Sequence, residues 1–247
     1  MGFPGFVSLN YGDELVTSTT EDLGVTIGTK GIMEDGRVFI YALAGADTIT
    51  AGLLAQDPLP IGNHDMDLVT AATAVGATSI AITLGATAAT ADQYKGGTVY
   101  VNDGPGEGQH FRIGAHPAVA SSGVFTVPLE GRQTVRTALT AASLCGIKAN
   151  PYNGVLLYNT TPDGIPVGFA PTDLAASTYF WLQTWGDGTA LVNGTVVIGK
   201  YVTPGLTISG SVDTHIAGGD ASMNVALVKG PISVDTDYQH VFITIGS

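Results

Sequence analysis

Apolar and polar side chains alternate in short runs along most of this chain, the period-two signature of half-buried strands. Thr98 to Asn102 alternates, a glycine-rich turn follows at Asp103-Gly104-Pro105-Gly106-Glu107-Gly108, and alternation resumes at Gln109-His110-Phe111-Arg112-Ile113. This pattern predicts a long hairpin. With Thr78 to Leu84 and Val124 to Leu129, four strands fall between Thr78 and Leu129, enough to close as a small barrel-like subdomain. The Ala-rich stretch ending at Asp92-Gln93-Tyr94-Lys95 suits about one or two helical turns before Gly96-Gly97 breaks it.

Outside this module the signals are also those of strands. Arg37 to Ala44 sets Val38, Ile40 and Ala42 on one face and Phe39, Tyr41 and Leu43 on the other, so both faces are expected to be covered, as in a central strand. Thr50 to Gln56 continues the pattern until Asp57-Pro58-Leu59-Pro60, where the prolines supply no ladder donors. Thr134 to Leu144 fits helix or strand equally. From Asn150 onward, turn signals such as Asn153-Gly154, Gly186-Asp187-Gly188 and Asn193-Gly194 recur at about ten-residue spacing. They bound expected strands at Val155–Tyr158, Val167–Ala170, Tyr179–Trp185, Thr195–Ile198, Leu206–Val212, Asn224–Val228 and Val241–Ile245. The pattern predicts an all-β fold, an antiparallel barrel or sandwich of β-clip or jelly-roll type, with little helix and an inserted small β subdomain. The expected organisation is an extended arm over residues 1–31, a main β domain over 32–75 and 150–247, and an insert over 76–149.

Composition changes this picture in one respect. Charged residues make up 12% of the 247, against about a quarter in ordinary soluble domains, and mean hydropathy is +0.29. Such a surface is expected to be covered by neighbours. Nine basic against 21 acidic residues give a formal net charge of -12, which repels nucleic acid and anionic lipid and argues against either as a partner. The single cysteine, Cys145, excludes an internal disulfide and fits folding in a reducing cytoplasm. Neither a secretory leader nor a membrane-spanning run is visible, and Phe6 removes the myristoylation pattern.

Candidate chemistry is sparse. The Asp103 to Gly108 loop resembles a phosphate cradle, but a strand follows it and its charges are acidic. Its calcium reading, through Asn102, Asp103 and Glu107, lacks EF-hand spacing. Asn63-His64-Asp65-Met66-Asp67 gathers metal-ligand types, yet His64, His110, His116, His215 and His240 form no HxH or HExxH pair, so a solvated loop is expected. Ser211, Asp213 and His215 share one alternating face without a nucleophile turn. Cys145 sits in an apolar context that favours burial. The acids Asp13, Glu14, Glu21, Asp22, Glu34 and Asp35 are read as solubilising. Tyr179 to Trp185 is the densest aromatic run, with Trp181 and Trp185 expected on one face, either packed in a core or stacking on sugars. No catalytic residue, cofactor or metal is expected. The candidate interaction surface comprises Asp103, Gly104, Pro105, Gly106, Glu107, Trp181 and Trp185.

The order of the segments DGRVFIYA, GATSIAITLGATAATADQYKGGTVYVNDGPGEGQHFRI, PVGFAP and YFWLQTWGDGTALVNG, spanning roughly residues 30–245, resembles the capsid decoration or head-associated structural proteins of tailed phages. The resemblance implies a non-enzymatic virion protein that folds in the host cytoplasm. It implies binding to the major capsid protein on the outer capsid surface and a homo-oligomer, with a trimer favoured. A carbohydrate- or host-receptor-binding module is the alternative expectation.

Overall fold

The computed structural model describes residues 5–22, 24–214, 223–231 and 235–246. The chain forms two compact units, Met1–Pro58 with Pro151–Ser247, and Leu59–Asn150. The first unit begins with β1 (Phe6–Leu9), β2 (Lys30–Met33), β3 (Val38–Ala44) and β4 (Leu54–Gln56). The second unit contains β5 (Leu68–Val69), β6 (Ser79–Thr83), β7 (Thr98–Asp103), β8 (His110–Arg112), β9 (Val124–Pro128) and β10 (Leu144–Lys148). The chain then returns to the first unit through β11 (Asn153–Leu157), β12 (Pro166–Phe169), β13 (Tyr179–Asn193), β14 (Tyr201–Pro204), β15 (Val212–Thr214), β16 (Ala226–Val228) and β17 (Tyr238–Thr244). A single 3-10 turn at Asp13–Leu15 is the helix among the described residues, so the protein is all-β.

β13 organises the first unit. Its 15 residues are long enough to pair with β3 over Tyr179 to Trp185 and then with β17 over Trp185 to Leu191. These pairings close two rings of five strands that share β13, one through β3, β11, β4 and β12, the other through β15, β14, β16 and β17. Each ring has its own apolar filling. Ala42, Ala55, Val155, Val167, Phe180 and Leu182 cluster in the first, and Ala190, Val192, Val202, Val212, Val241 and Ile243 in the second. Burial on both faces of β3 follows from this closure, because Phe39 and Tyr41 pack outside the ring with Leu9, Met33 and Trp181. Most pairings are antiparallel, but β1–β2, β3–β11 and β13–β15 are parallel, a feature that turn signals do not reveal.

The second unit is a smaller closure. β5, β10, β7 and β8 form one sheet and β6 and β9 another, and the bridges Thr70–Ile82 and Ile113–Leu129 join their ends. One core fills it, including Ile80, Ile82, Val99, Phe111, Phe125 and Val127. Residues 59–75, expected in the main domain, lie in this unit, where β5 pairs with β10 and Leu68 joins the core.

Other local expectations are corrected. The Ala-rich stretch before Gly96 forms turns and no helix, because three of its donors go to distant partners: Ala89 N–H to Val119 O at 2.9 Å, Asp92 N–H to His116 O at 3.0 Å and Gly96 N–H to Ile113 O at 2.8 Å. A helix cannot propagate when its i to i−4 bonds are replaced in this way. Thr134 to Ser143 is an irregular extended segment, bridged at Leu139 to Thr73, that enters β10 at Leu144. Thr195–Ile198 forms no strand, and of Leu206–Val212 only Val212 does; β14 lies between them. The described part of the expected N-terminal arm is stitched to its own unit. β1 pairs with β2, Ser18 and Tyr179 exchange two backbone bonds at 3.0 and 2.7 Å, and Asp22 N–H donates to the Tyr41 hydroxyl at 2.9 Å.

Candidate interaction surfaces

The β7–β8 hairpin turns where glycine is required. Gly104 and Gly106 have φ of 78° and 89°, left-handed values that other residues adopt only with strain, and a Cβ at Gly104 would strike the carbonyl of Ala142. The tip does not stand free of its unit, as a projecting hairpin would. Ser143 Oγ donates to Pro105 O at 2.6 Å, and the Gln109 amide donates to Gly106 O at 3.1 Å and to Thr137 O at 2.9 Å. Asp103, Pro105 and Glu107 remain exposed, while Gly104 and Gly106 are half-buried against the 137–143 segment.

Trp181 and Trp185 do not form one strip. A register shift between Gln183 and Trp185 places Trp181 opposite Tyr41 and Trp185 opposite Val38, residues on opposite faces of β3. Trp181 is 7% exposed and packs 5.2 Å from the Tyr41 ring. Trp185 is half-buried, edge-on to Phe242 at 5.2 Å.

Three of the residues with chemical potential, His64, His116 and Cys145, are buried. His64, expected in a solvated loop, is fully buried. Its Nε2 lies 2.8 Å from Thr87 O and its Nδ1 2.6 Å from the Tyr94 hydroxyl. A carbonyl only accepts, so Nε2 carries the proton and Nδ1 accepts from Tyr94. His116 mirrors it from the other side: Nδ1 donates to Pro117 O at 2.9 Å, and Nε2 accepts the Tyr94 backbone N–H at 3.0 Å. Tyr94 is thus held between two imidazoles, and burial, then the charge of Asp65, pushes its hydroxyl up to about 12. Burial likewise pushes the Cys145 thiol up to about 12, which leaves it unreactive. Asp67 accepts from Asn102 Nδ2 at 2.7 Å, and no metal-binding group of three His, Cys, Asp or Glu occurs among the described residues. Ser211 is buried and donates to Ile208 O at 2.8 Å, Asp213 faces Leu206 N–H at 3.4 Å, and His215 lies outside the described residues.

Two of the acids read as solubilising also have structural work. Glu14 is buried, accepts Gly12 N–H at 2.6 Å and meets the Arg37 guanidinium at 3.4 Å. Asp35 binds the same guanidinium at 2.7 Å. Burial opposes ionisation of Asp35, but the Arg37 backbone N–H and guanidinium outweigh it and hold this carboxyl below its ordinary value. Arg37 thereby pins the 3-10 turn to the start of β3.

Two surfaces escaped the sequence pattern. Phe6, Tyr11, Leu15 and Val16 are 63%, 65%, 53% and 62% exposed, on and just beyond the edge strand β1. They fall in residues 1–31, where the sequence has no strand periodicity to sort buried from exposed positions, and only the folded chain shows that they escape the core. The second is a cleft of about 210 Å³ in the second unit, lined by Gln109, His110, Phe111, Gln133, Thr134 and Arg136. Folding brings it together from β8 and the irregular 133–136 segment, with no motif to mark it.

The fold defines a class: an all-β protein of two barrel-like closures. Compared with protein families, curated proteins and solved structures, the chain finds no match.

Proposed function

We propose that this chain is a structural protein of a phage virion, folded in the host cytoplasm, that decorates and stabilises the outer capsid surface by binding the major capsid protein. The observation that carries the reading is the exposure of the apolar side chains of Phe6, on the edge strand β1, and of Tyr11, Leu15 and Val16 in the segment that follows it. Exposed bulky apolar groups, and a strand that is at the edge of its sheet among the described residues, favour burial under a neighbouring chain. The low charged fraction of 12% and the resemblance of the segment order to decoration proteins support the same reading. Binding buries these side chains and the β1 edge across seams between capsomers, and a trimer at local three-fold positions matches such a lattice. No catalysis is part of this function.

The test is addition of purified chain to shells assembled without it, followed by sedimentation. Stoichiometric cosedimentation, weakened at least about tenfold by Phe6→Asp with Tyr11→Asp, is the expected result; failure of the unmodified chain to bind shells rejects the proposal. The alternative of glycan binding has less support, because the two tryptophans of β13 pair with residues on opposite faces of β3. Glycan-array binding lost in folded Trp185→Ala would reverse that ranking.

A further inference from the structure

Three side-chain oxygens are buried without a hydrogen-bond partner among the described residues: Asp65 Oδ1, Asn102 Oδ1 and Asp213 Oδ1. Asp213 stands apart in the first unit. The other two belong to the second unit, one on the loop that precedes β5 and one on the face of β7 turned away from the core, since Val99 and Val101 fill that core and Tyr100 and Asn102 alternate with them. Buried acceptors left without a donor are rare and call for a bound water or ion.

Contacts printed by the backbone and side chains bring the loop and the strand together. Ile147 N–H donates to His64 O at 3.0 Å and the Tyr100 hydroxyl donates to Asp65 O at 2.6 Å, which lays the loop across β10 and β7. Gly146 makes this approach possible, because a Cβ there would strike both Asp65 O and the Tyr100 ring. Next along β7, Asn102 Nδ2 donates to Asp67 Oδ1 at 2.7 Å. Asn102 is the extra residue where the ladder to β10 shifts, Cys145 pairing with Val101 and Leu144 with Asp103, and a bulge re-aims its side chain. Burial, then the charges of Asp65 and Asp67, hold the Tyr100 hydroxyl above its ordinary value, so both carboxylates lie within electrostatic reach of one hydroxyl.

The donor set narrows the ligand. The Asn102 amide has one workable orientation, because turned over it would set its oxygen against the Asp67 carboxylate. Asn102 Oδ1 and Asp65 Oδ1 therefore only accept, and no group of the described chain donates to them. Asp65 and Asp67 form no salt bridge among the described residues. A water would supply donors but leave two neighbouring negative charges uncompensated, whereas a divalent cation answers both needs. Oxygen ligands of mixed type, two carboxylates and an amide, suit calcium, which accepts irregular coordination, better than magnesium, which demands a near-ideal octahedron. Zinc would want nitrogen or sulfur, and both ring nitrogens of the adjacent His64 are engaged elsewhere.

We propose that the loop bearing Asp65 and Asp67, together with the bulged Asn102 of β7, forms a calcium site. Asp65 Oδ1, Asn102 Oδ1 and the Asp67 carboxylate are its protein ligands, and water completes the shell. The bound ion ties the entry loop of the second unit to β7. With two carboxylates only, the affinity belongs to the weak class, a Kd of about 0.1–1 mM. The site lies within one unit and stands or falls independently of capsid binding.

The experiment takes the full chain stripped of divalent ions with EDTA. Calorimetric titration with calcium chloride reads binding, and tyrosine dichroism during urea unfolding reads the effect on stability. One ion should bind per chain, and about 10 mM calcium should raise the tyrosine-detected folding constant about tenfold or more, with magnesium at least about tenfold weaker in binding. Asp65→Asn should lose the titration yet unfold, without calcium, at the same or higher urea concentration, because it removes an uncompensated charge. Asn102→Asp should be less stable than the unmodified chain without calcium, through a third carboxylate, but keep or tighten calcium binding. A water site or a purely structural amide would not produce that recovery. Absence of saturable calcium binding by the unmodified chain, equal binding by Asp65→Asn, or equal stabilisation by magnesium and calcium overturns the proposal.

Discussion

The two units solve the same problem, closing a sheet around a core, with different means. The first uses a long shared strand. β13 gives each ring one wall, and three separate apolar clusters lie around it. The second has strands of two to six residues and a single cluster. Short strands provide few ladder bonds, and the gaps between them are spanned by buried polar side chains: His64, His116, Thr70 and Ser143 each satisfy backbone groups of loops. A small β unit can thus replace strand length by side-chain fasteners, provided that each is fully hydrogen-bonded. Both units carry a bulge, opposite Leu144/Cys145 of β10 and between Gln183 and Trp185 in β13, but only in the larger unit does it fall in a strand shared by two rings.

This contrast is open to measurement because both tryptophans lie in the first unit, so indole fluorescence reports on that unit and near-ultraviolet tyrosine dichroism adds the second. The largest effect is expected from Phe125→Ala, which empties the centre of the only cluster in the second unit and should cost about 3–5 kcal/mol. Urea unfolding should show the loss in the tyrosine signal, with the tryptophan transition nearly unmoved; equal shifts of both signals would show that the units unfold as one. His116→Phe keeps a ring of similar size but leaves the Tyr94 N–H and Pro117 O without partners, at a cost of about 1–3 kcal/mol. The same urea titration reads it, and a loss under about 0.5 kcal/mol would mean that the fasteners are dispensable.

Alkaline pH probes the same unit more gently. Tyr94 is raised from 10.0 to about 12 and Cys145 from 9.0 to about 12. Each folded value lies above its unfolded one, so the stability they contribute is complete below about pH 9 and falls as pH rises through about 9 to 12, with a slope of at most about 1.4 kcal/mol per pH unit per group. Cys145→Ala should flatten the fall between about pH 9 and 10, where the thiol alone contributes; an unchanged slope would place the sensitivity elsewhere. The smallest effect is expected from Arg132→Ala with Arg136→Ala, whose thermal midpoint should reflect a change within about 0.5 kcal/mol, as for exposed groups with no partners. A larger loss would make these arginines part of the unit's own fabric.

Strand content and turn positions were legible in the chain because both are decided within a few residues. Alternation marks β6, β7 and β9, an apolar run covered on both faces marks β3, and glycine with positive φ marks the β7–β8 tip. Burial of Cys145 was equally readable from its apolar neighbours. The Ala-rich stretch misled because intrinsic helix propensity is worth only about a kcal/mol over such a length, less than the long-range bonds at Ala89, Asp92 and Gly96 that displaced it.

What the sequence determined by itself is therefore the all-β character, the reversals and the acidic, weakly charged surface. Each depends on local backbone sterics or on simple counting. Only the tertiary structure decided that β13 serves two rings, that β1, β11 and β15 pair in parallel, and that one bulge turns Trp181 and Trp185 to opposite faces. It also decided that His64 and His116 meet across Tyr94 and that Arg136 comes to border a cleft with His110. These outcomes depend on which distant segments satisfy one another's hydrogen bonds and fill one another's voids. That choice is made by the whole chain at once, and no short window of residues contains it.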